Sequence, residues 1–298
     1  MELRHLRYFV VLAEELHFTR AAERLNIEQS PLSRIIRDLE EELGSLLFDR
    51  DRRGTRLTAA GEAFLDDVRR VLSSLDQACS SVKAISAGFR GSLRIAVSDG
   101  VVDPRLSAFL ARCRLEEPEI EIRLIEVPLA EQVRGLRSGD FHLGFAHVQD
   151  VGRDILAEPL WRDSLMLAMP TLHPLLEHVA VPLDALVPYR LVMCNPRTCE
   201  GCSRELNRLL STAKCDWDVT AHVSSMDMML TLVAAGYGVG FAVAAKAAAC
   251  IRTDIVFRPL AIEAAAFTTY MLRLNSETIP PAVVRFTSRL HTHLEDGK

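Results

Sequence analysis

Four of the seven cysteines in this 298-residue sequence fall within 22 residues, and thiols at such spacing can carry redox or metal chemistry. Two residues separate Cys199 from Cys202, which is the spacing of a redox pair or of half a zinc site. Cys194 and Cys215 could supply a further ligand, but their spacing is irregular. Three interpretations stay open here: buried or incidental thiols, a thiol sensor, and a metal site.

A second group of polar residues, near the N-terminus, has the composition of a surface that contacts DNA bases. Gln29 can pair with adenine through two hydrogen bonds, and Arg34 can reach guanine or the DNA backbone. Ser30 and Ser33 can bond to bases or phosphates, and Pro31 fits only the first turn of a helix. These residues predict a recognition helix whose first turn enters the major groove.

The flanking residues predict the elements that would position this turn. Apolar residues from Leu3 to Leu16 recur at three- and four-residue spacing, as in an amphipathic helix. Thr19 can cap a second helix, Asn26 suits a left-handed turn, and apolar spacing then continues to Gly44. This arrangement predicts a helix-turn-helix, with the acidic run 40–42 pointing away from DNA.

A short arginine-rich segment follows the helix-turn-helix. Around Gly54 it predicts a hairpin, or wing, that contacts phosphates through Arg50, Arg52 and Arg53. The alternative is a helical bundle with a solvated charged loop. Bulk charge does not decide between them, because the first sixty residues hold ten Arg against eleven Asp and Glu, and the whole chain has a net charge of -5.

A long helix is predicted after the wing. Its apolar residues alternate three and four apart, as in a coiled-coil seam, which favours a dimerisation linker over a helix packed only on its own domain. The seam residues are Leu65, Val68, Leu72, Leu75, Cys79 and Val82.

Three segments together make the whole chain resemble the LysR-type transcriptional regulators: LRYFVVLAEELHFTRAAERLNIEQSPLSRIIRDLEEELGSLLFDR, RLTAAGEAFL and LVAAGYGVGF. The resemblance implies an N-terminal all-α winged helix-turn-helix, a long linker helix, and a C-terminal α/β two-lobed effector-binding domain that is periplasmic-binding-protein-like. We expect the boundaries to be 1–58, 59–90 and 91–298, with lobe I at 91–162 and 266–298 and lobe II at 163–265.

The resemblance also implies partners and roles. Gln29, Ser30, Ser33 and Arg34 match the family's DNA-reading positions. A homodimer or homotetramer would bind double-stranded operator DNA at its own promoter and at that of a divergent neighbour, and RNA polymerase would be a partner. Some family members sense peroxide through cysteines in the region of Cys199.

The C-terminal two thirds alternate strand-like and helix-like segments, which predicts a mostly parallel sheet with helices on both faces. Strands are expected at 92–97, 120–127, 141–147, 164–169, 190–194, 218–223, 237–243 and 267–274. Helices are expected at 104–114 and 129–136, after residues 202 and 225, and beyond residue 280. Two lobes joined by crossing strands would enclose a cleft.

A small-molecule effector is expected where strands end and helix N-termini converge. The candidate effector-binding residues are Ser98, Asp99, Gly100, His147, Thr198, Cys199, Ser224, Ser225 and Phe241. The alternative roles are helix capping for Ser224 and Ser225, and a structural hydrogen bond for His147. Asp103 followed by Pro104 is expected to begin a helix, and the charge of the effector stays open.

Other classes are less well supported by the sequence. A mixed Met-Glu-Leu-Arg start and the lack of a long apolar run favour a cytoplasmic protein. An enzyme would use Cys199 or Cys202 with His222 or His147 as base, but no paired acid and base has interpretable spacing. We therefore predict an effector-controlled DNA-binding regulator without cofactor or metal, with a thiol-redox or metal-responsive regulator as the alternative.

Overall fold

The computed structural model describes residues 1–51, 54–86, 91–98, 100–101, 103–213, 215–262, 265–276 and 278–296. The chain divides into two compact units. The first comprises Met1–Lys83 with Arg137–Asp140, and the second comprises Ala84–Leu136 and Phe141–Lys298. The predictions for Arg52, Arg53 and Asp99 fall outside the described residues.

The first unit is a winged helix-turn-helix followed by a long helix, as predicted. Its elements are α1 (Leu3–Glu15), α2 (Phe18–Arg24), α3 (Gln29–Leu43), the antiparallel pair β1 (Phe48–Asp51) and β2 (Gly54–Leu57), and α4 (Ala59–Ser86). Asn26 lies in the turn between α2 and α3 with a φ of 54°, which a short polar side chain tolerates. Gly44 ends α3 with a φ of 66°.

The cap of α2 differs from the prediction. His17, not Thr19, is the N-cap, because the helix already begins at Phe18 and Thr19 lies inside its first turn. The imidazole Nδ1 of His17 accepts a hydrogen bond from the backbone N–H of Arg20 at 3.4 Å. Glu28 occupies the N-cap position of α3 without a capping side-chain bond.

The core of the first unit includes only part of α4. Phe9 contacts Phe48 and Phe64 with ring centroids 5.5 and 5.1 Å apart, and Leu65 and Val68 of α4 are buried in the same cluster. Further along α4, Cys79 and Val82 are exposed. The predicted seam therefore packs on its own domain at its start and presents side chains to the surface at its end.

The second unit contains nine strands and six helices among the described residues. The strands are β3 (Gly91–Val97), β4 (Ile120–Glu126), β5 (Leu143–Ala146), β6 (Ile155–Pro170), β7 (Leu191–Cys194), β8 (Val219–Val223), β9 (Val239–Val243), β10 (Ile255–Pro259) and β11 (Ala266–Leu274). The helices are α5 (Pro104–Glu116), α6 (Leu129–Ser138), α7 (Glu200–Leu210), α8 (Met226–Ala234), α9 (Ala244–Ala248) and α10 (Pro281–Asp296).

Two strands that cross the unit connect its halves. The strand order is β4-β3-β5-β11-β6-β9-β7-β8, with β10 also paired to β6. The strands β3, β4 and β5 are mutually parallel, as are β7, β8 and β9, whereas β6 and β11 run antiparallel to their neighbours. One end of β6 pairs with β11 and the other with β9 and β10.

Helices cover both faces of the sheet in each lobe, which confirms the predicted α/β class. In the first lobe, which is built on β3, β4 and β5, the helices α5 and α10 bury Phe109 and Phe286 on one face of the sheet. The helix α6 buries Leu136 on the other face. In the second lobe α7 and α8 occupy opposite faces in the same way. Gly240 permits the close approach of α8, since a Cβ there would lie 2.2 Å from Met229 Sδ.

Candidate functional site

A cavity of about 240 Å³ lies in the second unit, between its two lobes. Six of the nine predicted effector residues line it: Gly100, His147, Cys199, Ser224, Ser225 and Phe241. They come from strand ends and helix N-termini of both lobes, as the sequence pattern predicts. A ligand in this cavity would touch both halves of the unit at once.

Ser98 and Thr198 do not line this cavity. Ser98 is fully buried, and its hydroxyl donates to the carbonyl of Phe145 at 3.5 Å, because the end of β3 directs it toward the neighbouring strand. Thr198 is exposed, and its hydroxyl donates to Ser224 Oγ at 2.8 Å. Thr198 therefore orients a cavity residue rather than facing the cavity itself.

The N-terminus of α8 presents hydrogen-bond donors to the cavity. Ser225 caps the helix, since its Oγ accepts the backbone N–H of Met228 at 3.3 Å. Ser224 Oγ accepts the hydroxyl of Thr198. Both oxygens accept in these bonds, so each hydroxyl can donate its own proton to an acceptor atom of a ligand. Ser225 therefore both caps the helix and lines the cavity.

His147 is a neutral group in the opposite lobe. It is 7 % exposed, and burial lowers its pKa to about 4, with the charge of Lys246 acting in the same direction. Its Nδ1 lies 3.4 Å from the carbonyl oxygen of Thr268, which can only accept, and 3.4 Å from Thr269 Oγ1, which can accept as well, so a proton on Nδ1 satisfies both contacts. The other ring nitrogen, Nε2, then has a lone pair and acts as an acceptor.

Lys246 is a cavity residue that the sequence did not indicate. It lies on α9, a helix of only five residues, which is too short to show a helical periodicity. Its ammonium group donates to the carbonyl of Gly100. Glu126, at the end of β4, also lines the cavity, so both signs of charge border it.

An ion-pair cluster fixes the start of α5 near Gly100. Asp103 caps the helix and Pro104 begins it, as predicted. Burial by itself would raise the pKa of Asp103, but hydrogen bonds from Arg105 and the charge of Lys246 hold that pKa below its usual value. Arg105 also pairs with Asp163, whose pKa burial raises.

Three cysteines of the cluster meet at the cavity. Cys194, Cys199 and Cys202 line it, whereas Cys215 does not. All seven cysteines are thiols, and within the described ranges no three His, Cys, Asp or Glu side chains are placed to hold a metal ion. His222 is exposed on β8 and does not line the cavity.

The first two turns of α3 present the predicted DNA-reading residues. Gln29, Ser30, Pro31 and Arg34 are exposed, and Ser33 is half-buried. They project from a helix whose opposite face is anchored by Leu32, Ile36 and Leu39 in the core.

Glu40 corrects the expectation for the acidic run, because it is buried and joins α3 to the wing. One carboxylate oxygen accepts the backbone N–H groups of Leu47 and Phe48 at 2.9 and 3.0 Å. The other accepts from Arg50 Nη2 at 3.1 Å, and the Arg50 guanidinium lies 4.7 Å from the Phe18 ring centroid. Arg50 is thus held in place by its own domain.

Comparisons with known proteins agree with this architecture. Residues 3–62 match the model of the lysR family of bacterial regulatory helix-turn-helix proteins, and residues 86–295 match the LysR substrate binding domain. The HTH-type transcriptional regulator CatR of Pseudomonas putida is 34% identical over 289 residues, covering 96% of each chain. The uncharacterized HTH-type transcriptional regulator YnfL of Escherichia coli is 35% identical over 240 residues, covering 80% of this chain and 81% of YnfL.

A solved structure extends the likeness to the whole chain. Full-length CbnR complexed with its target DNA aligns with a TM-score of 0.71 and 26% sequence identity, covering 98% of this chain and 100% of CbnR. No helix in the described part of the chain is long and apolar enough to cross a membrane. With matches to the DNA-binding and substrate-binding family models over most of its length, the chain belongs to the LysR family of transcriptional regulators and is not an enzyme.

Proposed function

We propose that this regulator binds promoter DNA with a geometry that is set by a small molecule held in the cavity between its lobes. The observation that carries the proposal is the cavity itself, with donors at Ser224 and Ser225 in one lobe and the acceptor nitrogen of His147 in the other. A ligand that bonds to both lobes stabilises the arrangement in which it touches both, and so shifts their equilibrium.

The residues that we propose to contact DNA have exposed side chains or side chains that can bond to bases and phosphates. The residues that would contact bases or adjacent phosphates from the first two turns of α3 are Gln29, Ser30, Pro31, Ser33 and Arg34. In the wing, Arg50, Arg52 and Arg53 would contact phosphates, with Arg50 presenting the part of its guanidinium that Glu40 does not cover. These contacts supply both orientation and sequence preference.

The assembly and its surroundings are also part of the proposal. Residues 59–90 would join two chains through the exposed end of the α4 seam, residues 1–58 would bind the operator, and residues 91–298 would bind the effector. Pairs of dimers would form a homotetramer that bends the DNA between its half-sites and contacts RNA polymerase. We place this activity in the cytoplasm, where promoter DNA is found.

A DNase footprint on the DNA upstream of the protein's own gene tests the DNA half of this proposal. We expect wild-type protein to protect a defined region and Arg34→Ala to lose it. Arg114→Ala, which removes an exposed arginine from α5 in the second unit, is the matched control. Equal protection by both variants would refute the assignment of Arg34.

A reporter gene fused to the same DNA tests the effector half. Its expression is compared across carbon sources, which change the pool of small metabolites. Ser225→Ala should abolish the variation while leaving the footprint intact. Thr231→Ala is the control, because its hydroxyl lies on the same helix, bonds to the carbonyl of Asp227 and does not line the cavity. If Ser225→Ala responds as the wild type does, the cavity assignment is wrong.

A further inference from the structure

Sulfur is concentrated in the wall of the effector cavity. Five sulfur-bearing side chains line it: Cys194, Cys199, Cys202, Met226 and Met229. Neither a disulfide nor a metal cluster within the described residues employs these thiols. Soft, polarisable nucleophiles in a cavity indicate a ligand that can react with them.

Cys199 has the position best suited to react. It is the N-cap residue of α7, a helix of eleven residues, and its side chain makes no capping bond. The backbone N–H groups of the first turn of α7 lie at this end of the helix, where they favour negative charge that develops during a reaction. Its thiol donates a weak hydrogen bond to the carbonyl oxygen of Ser224 at 3.9 Å, which holds the sulfur beside the donors of α8 until the thiol reacts.

The rest of the cavity wall limits the class of ligand. Val192, Leu206, Val223, Phe241 and Phe267 give it an apolar surface. Its volume of about 240 Å³ would hold about eight water molecules. A peroxide molecule would leave most of that apolar surface without a partner, whereas a carbon-based electrophile would fill it.

We propose that Cys199 captures an α,β-unsaturated carbonyl compound as a covalent effector. The thiolate sulfur forms a bond to the β-carbon, the carbon–carbon π bond breaks, and the proton that left the thiol is returned at the α-carbon. No group leaves and nothing is oxidised or reduced. Lys246 and the hydroxyls of Ser224 and Ser225 would stabilise the negative charge that develops on the carbonyl oxygen. This inference rests on the proposed function of the cavity as the effector site.

The chain provides its own control thiols. Cys215 and Cys250 are partly exposed, as Cys199 is, but they lie outside the cavity.

The experiment uses a simple unsaturated ketone as the probe. Full-length protein is incubated with benzylideneacetone, and the adduct is located by intact mass and peptide mapping. Benzylacetone, which lacks the double bond but has nearly the same shape, is the control ligand.

We expect one adduct per chain, at Cys199, formed at least about tenfold faster than at Cys215 or Cys250, because only Cys199 lies in the cavity that would hold the probe beside it. Cys199→Ser should prevent this adduct and Cys250→Ser should not. The unsaturated probe, and not its saturated analogue, should alter the footprint of the wild-type protein. Modification of Cys215 or Cys250 at the same rate, or an adduct without any change in the footprint, would overturn the inference.

The outcomes separate this inference from the proposed function. If no adduct forms while the untreated protein gives its footprint and Ser225→Ala still abolishes the reporter response, only the covalent capture is refuted. If the chain instead gains no adduct and loses two hydrogens to dissolved oxygen during the incubation, the thiols form a disulfide and the electrophile class is wrong. If the untreated protein protects no DNA, the failure lies with the proposed function.

Discussion

Replacing Glu40 by Gln should destabilise the first unit, because this carboxylate connects α3 to the wing. Glu40 is 5 % exposed and accepts three hydrogen bonds, two from the backbone N–H groups of Leu47 and Phe48 and one from Arg50. Gln keeps the shape and one acceptor oxygen. Its amide group, however, would place N–H donors against the guanidinium of Arg50, which has only donors itself.

The size of the effect follows from these contacts. A hydrogen bond to a charged group contributes about 1.5–3 kcal/mol and a neutral one about 0.5–1.5, so the two backbone bonds together weaken by about 2 kcal/mol. The ion pair adds less than about 1 kcal/mol, because Arg50 is about one third exposed and solvent screens the pair. Glu40→Gln also removes the desolvation cost of burying the carboxylate charge, which offsets part of this loss. We expect a net destabilisation of about 2 kcal/mol.

The assay uses the distribution of tryptophan in the chain. Trp161 and Trp217, the only two, both lie in the second unit, so their fluorescence follows that unit alone. Far-ultraviolet circular dichroism also follows the helices of the first unit. In urea, Glu40→Gln should lower the midpoint of the dichroism transition by about 1 M and leave the fluorescence transition in place.

Glu41→Gln is the matched control, because it removes the same charge from an exposed position on the same helix. Its stability should stay within about 0.5 kcal/mol of the wild type. Arg50→Met removes the guanidinium but leaves both backbone bonds, so it should destabilise less than Glu40→Gln, and the two changes should be less than additive. An unchanged dichroism midpoint in Glu40→Gln would refute the reasoning.

Three further predictions concern DNA binding, the response to the effector, and the pH dependence of the stability of the second unit. Arg34→Ala should weaken specific DNA binding by about 1–3 kcal/mol, measured by fluorescence anisotropy with labelled upstream DNA. Ser225→Ala should abolish the protein's response to its effector in the reporter assay without changing the basal footprint. Burial lowers the pKa of His147 from 6.5 to about 4. Between these two pH values the unfolded state binds more protons than the folded state, so the free energy of unfolding falls as the pH is lowered through this range. In tryptophan-detected unfolding His147 should contribute a slope of up to about 1.4 kcal/mol per pH unit, beside a similar one from His142, whose pKa burial also lowers to about 4. His147→Gln should remove only the first contribution.

The elements that the sequence predicted well are those with strong local signals. The helix-turn-helix combines helical periodicity, a turn residue at Asn26 and a proline at Pro31, all of which favour the same structure. The alternation of strands and helices in the second unit was equally informative. The first half of β6 was missed because Pro159 and charged neighbours interrupt its apolar pattern, and Pro is rarely found inside a strand.

The candidate site was predicted less completely than the fold. Strand ends indicated the correct edge of the sheet, but they did not fix which way each side chain points, and one residue of register reverses the face. Ser98 follows the end of β3 and faces inward, whereas the chain turns at Gly100, which has a φ of 62° and lines the cavity. Lys246 lies only three residues after the cavity residue Val243, but its helix α9 has five residues, so no helical periodicity indicated that it lines the cavity.

The cavity's contribution to regulation depends on how differently a ligand interacts with the two arrangements of the lobes. Reversing an equilibrium from 1:99 to 99:1 needs about 5.5 kcal/mol of differential binding. Ser224, Ser225, His147 and Lys246 offer hydrogen bonds of about 1 kcal/mol each, and the apolar wall adds burial. A reversible ligand would need nearly all of these contacts in one arrangement only. A bond to Cys199 would hold the ligand in place while the contacts to the other lobe decide which arrangement is favoured, so few of them would be sufficient.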